Sequence, residues 1–449
     1  MGLKIAVIGS GIAGLTAAHE LSQQHQVSLY EKKAELGLGS EGLMVATEQG
    51  SVRVDVPPRV FNALHYPHLF ALLERLNVPT YPINQEPNFS GAQGQTYFSL
   101  WSGQYRLPFS STRYFTLPKV TLHNLKWLLR FGPQLLRWMR LLTRREYETL
   151  GDDVTLRTWL QQRGFSDAFI REYLYPIWSL MCSANQQELN AYPAKPMAKL
   201  FHDFSGAAQA YRIAGGTRTL EHKLKQSIKN IYLNHGVQQL LPLPQGVQVV
   251  TEHSQHIYDH VVVATEPAIA KQFLGPELNK EQALLARVPY RLTEMVMHTD
   301  DKVMPRKRNL WSAVNMRHDN QGEPWATVWM NPIEQTVLPK NLFQSWDPLH
   351  DIAPECILAR RQFHRTLLTP DSARAMTSLI ALQNTDSHRR VWFAGSYVTD
   401  QIPLLEDGVS SAQRVAQRIN EISQTNELSA CSDCNADFTP ILSAEKTSA

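Results

Sequence analysis

The chain has 449 residues, 43% hydrophobic and 19% charged, with a formal net charge of +3. That is ordinary globular composition, long enough for about three units at about 150 residues each, and so small a charge asks for no nucleic-acid partner. No run of about 18 apolar residues occurs, so no membrane-spanning helix is expected.

The first residues, MGLKIAVIGSGIAG, read as a buried strand and turn rather than a signal peptide. An apolar run from Ile5 to Ile8, a glycine-rich turn, a helix-period stretch from Ile12 to Leu21 and a second run, Val27–Tyr30, make a βαβ rhythm. An amphipathic helix is expected over 63–77, and short Gly-, Ser- and aromatic-rich strands between about 85 and 110. From 118 to 204 the pattern is helical. Strand signals return at Ile231–Leu233, Val247–Val250, His260–Ala264, Leu292–His298, Ala326–Met330 and 391–394, followed by a helix over 407–422.

The first and last strands bracket the rest, which predicts a discontinuous α/β, Rossmann-like dinucleotide domain with a substrate domain inserted into it. The boundaries read 1–84, 205–285 and 386–422 for the dinucleotide domain, and 85–204 and 286–385 for the mixed sheet-and-helix insert. The polar stretch 423–449 reads as a disordered tail. Cys431 and Cys434 form a lone C-x-x-C within it, short of the four ligands of a structural zinc site, so no metal is expected and the chain reads as cytoplasmic.

Gly9-Ser10-Gly11-Ile12-Ala13-Gly14 follows the first strand and opens the first helix. Gly9 permits the tight turn, Gly11 lets backbone approach a pyrophosphate, and Gly14 lets helix pack on strand. The helix N-terminus offers free N–H groups to phosphate. Glu31 ends the second strand, about 20 residues on, where an acid accepts ribose hydroxyls and disfavours a 2′-phosphate. Gly37-Leu38-Gly39-Ser40-Glu41-Gly42 matches the same glycine spacing but has no strand before it and no helix after it, and reads as a loop.

Near the other end, Val391-Trp392-Phe393-Ala394-Gly395-Ser396 is a strand ending in glycine, and Glu406-Asp407-Gly408-Val409 opens a helix. Together the two ends resemble the flavin-containing amine oxidase superfamily, which includes amine oxidases, phytoene desaturases and protoporphyrinogen oxidase. The resemblance covers about residues 3–420. It implies FAD as cofactor, with Gly395, Ser396, Asp407, Gly408 and Val409 beside its pyrophosphate, ribityl chain and ring, and Glu31 on its ribose, with Lys32 and Gly39 in the same set. Val237 resembles the family's adenine-side valine, Ala264 its characteristic strand end, and Gly215-Gly216 its Gly-Gly segment heading a helix. His298-Thr299-Asp300, Met304-Pro305, Trp311 and Ile177-Trp178-Ser179 resemble a bacterial subgroup of FAD/NAD-binding, amine-oxidase-like proteins of unassigned substrate.

The sequence departs from the family in four places, one of them Ser396, which stands where the family carries a glutamate after Phe-Ala-Gly. The ribose acid is followed by Gly37-Leu38-Gly39-Ser40 rather than Gly-Gly-Arg or Gly-Gly-His. The Asp-x-Gly loop reads Asp55-Val56-Pro57-Pro58-Arg59, so that Arg59 could compensate by facing the phosphates or flavin. Leu405 stands where amine oxidases often carry an aromatic wall of the amine cage, which weakens simple amine oxidation.

No catalytic residue can be assigned. His298 and Asp300 could transfer protons or form a structural pair. Trp178, Trp311, Tyr397 and Leu405 could line a substrate pocket, or fill core. From Leu117 to Arg145 there is no acid; Lys126, Arg130, Arg137, Arg140 and Arg144 form one helical stripe, and Trp127, Phe131, Trp138 and Leu142 the next. An interfacial helix uses such an arrangement on anionic lipid, so residues 124–145 are a candidate for peripheral contact with the inner membrane face. The alternative is an aromatic stripe in the core with snorkelling arginines. The expected function is FAD-dependent hydride removal from a C–N or C–C bond of a small, apolar or lipid-like molecule. A non-catalytic FAD-binding structural or sensing protein and an NAD-dependent dehydrogenase are the rivals.

Overall fold

The computed structural model describes residues 2–48, 50–106, 112–204 and 209–435, with backbone alone for 101–106, 112–116 and 426–435. A five-stranded parallel sheet collects four distant pieces of the chain, in the spatial order Asn230–Tyr232, Gln26–Tyr30, Lys4–Ile8, His260–Val263, Val391–Phe393. These short apolar runs are buried on both faces, as a parallel sheet with both sides covered requires. Helix Ile12–Leu21 packs one face together with the last helix, through Leu15, Ala18, Val409, Ala412 and Ile419. The other face is covered by the three-stranded meander between Val237 and Tyr258, and by helix Pro370–Thr385 through Ala375, Met376 and Leu379. That helix, within the stretch 286–385 assigned to the insert, therefore packs on the parallel sheet.

An eight-stranded mixed sheet runs from Ile357–Thr366 through Tyr290–His298, Phe343–Trp346, Pro324–Trp329, Val314–His318 and Pro87–Ser90 to the hairpin Thr96–Arg106 and Thr112–Pro118. Helices between Leu122 and Phe204 cover one region of it around a tryptophan- and phenylalanine-rich core. The strand-rich stretch thus extends beyond the expected 110 to Pro118. Pro67 at the first helical position starts the expected 63–77 helix late, at Pro67–Arg75. The last helix runs Leu405–Asn435 rather than 407–422, which corrects the reading of a tail disordered from 423; residues 436–449 lie outside the described residues, as do the side chains of Cys431 and Cys434.

The long helix Leu122–Thr143 is capped by Thr121, whose hydroxyl accepts the Asn124 N–H. Its aromatic stripe faces inward: Trp127, Phe131 and Trp138 are buried, Trp127 stacked on Phe98 and Trp138 edge-on to Trp159, Trp178 and Phe201. The expectation that these aromatics meet a membrane surface is overturned. Burying three large rings against a sheet and four helices outweighs leaving them in water by several kcal/mol. Among the described residues no helix is long and apolar enough to cross a membrane.

Candidate functional site

The glycine turn is built as its spacing predicts. Gly9 has φ +97°, and its N–H donates to the Tyr30 carbonyl at 2.8 Å. A side chain at Gly14 would stand 1.8 Å from the Gly9 carbonyl oxygen, so helix and turn touch through backbone. Gly11 differs from both. Its backbone is ordinary, at φ −69°, and a Cβ there would have no protein atom within 4 Å. No side chain caps the helix it opens. The first-turn amides therefore face open space at the positive end of the helix dipole, as a pyrophosphate cradle requires. The residues present fit the diphosphate of FAD.

Glu31 is buried beside this turn. One carboxylate oxygen accepts from the Ser10 N–H at 3.0 Å and the Ser10 hydroxyl at 2.5 Å; the other accepts from the Lys33 N–H at 2.9 Å. Ser10 Oγ in turn accepts the Gly37 N–H at 2.8 Å. His235 N–H donates to the Glu31 carbonyl, which lays the segment leading to Val237 alongside Glu31, and a Cβ on Gly236 would stand 3.5 Å from Lys32 Cβ. Lys32 is exposed and Val237 half-buried.

The segment Gly37–Gly42 is a loop and leans on the turn, with the Gly37 Cβ position 3.5 Å from Gly11 N. Three side chains to which the sequence pointed no role hold it in place. Glu221 accepts the Gly39 N–H at 3.0 Å, Arg53 donates to the Gly39 and Ser40 carbonyls, and the Arg218 stem lies against Gly39. Only contacts across the fold identify them.

Asp55 is buried and accepts from the Thr217 N–H and hydroxyl, capping helix Thr217–Lys225 behind Gly215 and Gly216, both at positive φ. Its carboxylate is thereby engaged within the protein. Arg59 is half-buried and has no hydrogen-bond or ion-pair partner among the described residues. Burial pushes its guanidinium below the ordinary range, Asp55 opposes this, and Arg365 adds to it. It is a cation able to take an anionic or carbonyl oxygen.

The C-terminal pieces close on the same point. Ala394 N–H donates to the Val263 carbonyl, and Ala264 N–H to that of Ile8. The Ala264 methyl lies 3.3 Å from the Gly14 Cβ position. The Ser411 hydroxyl accepts the Gly395 N–H and donates to the Gly395 carbonyl, both at 3.0 Å. Asp407 accepts the Leu404 N–H at 3.0 Å, and burial raises its carboxyl to about 6. A Cβ on Gly408 would stand 2.7 Å from Ile12 Cγ2 and 3.9 Å from both Ala13 N and Ser396 N. Gly395, Ser396, Asp407 and Gly408 are thus gathered at the opening of the first helix. The Val409 side chain is core, which leaves its backbone alone for a ligand.

Of the pocket residues, Tyr397 is buried with its ring on Gly395 and its hydroxyl unpartnered, and Leu405 is half-buried at the start of the last helix. Trp178 takes the core alternative: it is fully buried and donates to the Met197 carbonyl within the helical core. Trp311 packs with Trp329 and Phe343 under the Arg308 guanidinium, donating to the Pro305 carbonyl. No recorded contact joins it to the turn. His298 lies next to Ser345 Oγ, at 2.9 Å, while Asp300 accepts from the Lys302 and Ala353 N–H groups. The Asp300 backbone and charge act on the imidazole, but no hydrogen bond joins the two side chains, so they form no acid–base dyad.

A sequence model of the flavin-containing amine oxidoreductases matches residues 12–343. A protein described as a probable zeta-carotene desaturase, from Synechococcus elongatus, is 23% identical over 235 residues, 49% of this chain and 47% of that one; the match spans about half the length of that relative. Among solved structures, cyclohexylamine oxidase from Brevibacterium oxydans superposes with a TM-score of 0.64 at 15% identity, over 95% of this chain and 100% of that one. A CLA-producing fatty acid isomerase from P. acnes superposes with a TM-score of 0.64 at 12% identity, over 93% and 98%. At such identities these likenesses carry the fold.

Proposed function

The chain belongs to the flavin-containing amine oxidoreductase family and is an FAD-dependent oxidoreductase; from that premise we propose that it oxidises a C–N or C–C single bond of a small apolar or lipid-like molecule, a hydride leaving from a C–H of that bond and a proton from the neighbouring atom. Bound FAD supplies the hydride acceptor, and the protein supplies binding, orientation and exclusion of water. The N–H groups following Gly11 would hold the pyrophosphate, Glu31 would take the ribose hydroxyls, and Val237 would serve the adenine. Gly395, Ser396 and the helical residues Asp407–Val409 would hold the flavin half, with Arg59 available to an electron-rich oxygen. The N-terminus of the last helix favours the negative charge that a reduced ring carries.

The observation that carries this reading is that the first turn of the last helix, at Gly408, meets the opening of the first helix at Ile12, which no side chain caps. The substrate class rests on Leu405, an aliphatic side chain in the position that resembles an amine-cage wall. The desaturase relative supports the same class.

The test is anaerobic mixing of the purified yellow protein with two panels, simple primary amines and apolar unsaturated or lipid-like molecules. Bleaching of the flavin band by members of the second panel is expected. Bleaching by simple amines alone would overturn the substrate class, and release of NAD rather than FAD on denaturation would overturn the cofactor assignment.

A further inference from the structure

With its aromatics buried, helix Leu122–Thr143 turns a different apolar stripe to solvent. Leu122, Leu125, Leu129, Leu136 and Met139 recur at helical spacing on the outward side, with Leu122, Leu129 and Leu136 69%, 76% and 72% exposed. Leu117 and Val120, just before the helix, extend the stripe and are also exposed. Scattered exposed leucines are unremarked on any protein, but a contiguous row along one helix marks an interaction surface.

The flank of this row is basic. Lys126, Arg130, Arg137, Arg140 and Arg144 are all exposed. The neighbouring acids are taken: Glu172 by Arg130, Glu146 by Arg163, and Glu148 by Arg145. Arg137 is held by the Arg163 and Gly164 carbonyls. For Lys126, Arg140 and Arg144 no partner is recorded among the described residues. The helix carries no acid of its own.

We propose that this outward face docks the enzyme on an anionic lipid surface, the leucine row entering the acyl boundary and Lys126, Arg140 and Arg144 meeting the headgroups. The charge pattern selects this occupant. A second copy packed on the same face would set cations against cations, and an apolar protein partner would leave three cations without a counter-charge. An amphipathic helix with an aliphatic face, a basic flank and no acid matches the requirements of an interfacial helix. The docking is peripheral and does not depend on which molecule the enzyme oxidises.

The experiment is sedimentation of the FAD-loaded enzyme with vesicles of phosphatidylglycerol or of phosphatidylcholine, together with light scattering of the enzyme alone. Binding to phosphatidylglycerol only, weakening as salt rises, is expected. L129E/L136E should abolish binding, and K126Q/R140Q/R144Q should reduce partitioning by about a hundredfold, at about fivefold per basic residue. Both sets lie on the solvent side, so FAD content and melting temperature should be unchanged. Absence of wild-type binding to phosphatidylglycerol at low salt overturns the proposal. So does binding that survives in both variants, or a wild-type dimer that L129E/L136E converts to monomer without any vesicle binding.

Discussion

Gly408, near the start of the last helix, lies against Ile12, the first residue of the first helix: a Cβ on Gly408 would stand 2.7 Å from Ile12 Cγ2. Two helices from opposite ends of the chain therefore begin at one place, and the absence of a side chain at 408 permits it. Gly408→Ala should strain this junction by about 1–3 kcal/mol, the usual cost of an added methyl in a close-packed site. Urea unfolding of the apoprotein and FAD content after purification should both show the loss. An unchanged unfolding midpoint would mean that the junction has slack.

Gly11 and Gly14 should respond in opposite ways. A Cβ at Gly11 meets no protein atom within 4 Å, so Gly11→Val should leave the apoprotein about as stable as before while removing FAD, since the side chain fills the cradle. At Gly14 a Cβ collides with the Gly9 carbonyl at 1.8 Å, and Gly14→Val should fail to fold. Circular dichroism with flavin absorbance separates the two. A Gly11→Val protein that purifies with full FAD would show that the pyrophosphate lies elsewhere.

Glu31→Ala should weaken FAD retention by roughly 1–3 kcal/mol, the range for a charge-assisted hydrogen bond. It should also loosen the turn, because the same carboxylate holds the Ser10 and Lys33 N–H groups. Glu31→Gln keeps an acceptor and should restore part of both. Titration of the apoprotein with FAD gives the first effect, and thermal melting gives the second.

Acid should destabilise the fold through buried imidazoles. Burial lowers His298 to about 4, with Asp300 opposing, and burial aided by Arg390 lowers His260 to about 4. An imidazole depressed in the folded state takes up its proton on unfolding, so its contribution is full above about pH 6.5 and is lost as pH falls towards 4. Within that window each such histidine removes about 1.4 kcal/mol per pH unit. His298→Gln should flatten the fall of melting temperature over the same range, and an unaltered slope would place the acid sensitivity in other groups.

What could be read from the sequence follows the range of the signal. The turn at Gly9–Gly14 and the acid at Glu31 are local, because the glycine spacing and the βαβ rhythm sit within one short stretch. The loop at 37–42 is legible for the same reason. The hairpin of Leu43–Thr47 and Gly50–Val54 was missed, although Gly50, at φ +116°, marks its turn. Helix Leu122–Thr143 is apolar on two sides, and periodicity finds both stripes without saying which one the sheet covers. Trp127 went inside because Phe98, Phe169 and Tyr173 wait there. Residues such as Glu221 and Arg53 act on the loop at 37–42 across the fold, and no spacing rule reaches them. The polar stretch after 422 carries the last helix onward even though its composition resembles a tail.

Strand Val391–Phe393 is the edge of the parallel sheet, and it pairs with His260–Val263. On the ribosome it emerges after every other strand of that sheet, so for most of synthesis one side of His260–Val263 is an open row of amides and carbonyls. Such edges invite pairing with other chains, and domains otherwise fold as their residues emerge. The nascent protein must therefore wait, with its dinucleotide turn already made and its opposite wall still missing. A product cut short anywhere before residue 391 would keep that edge bare, and such a product should aggregate.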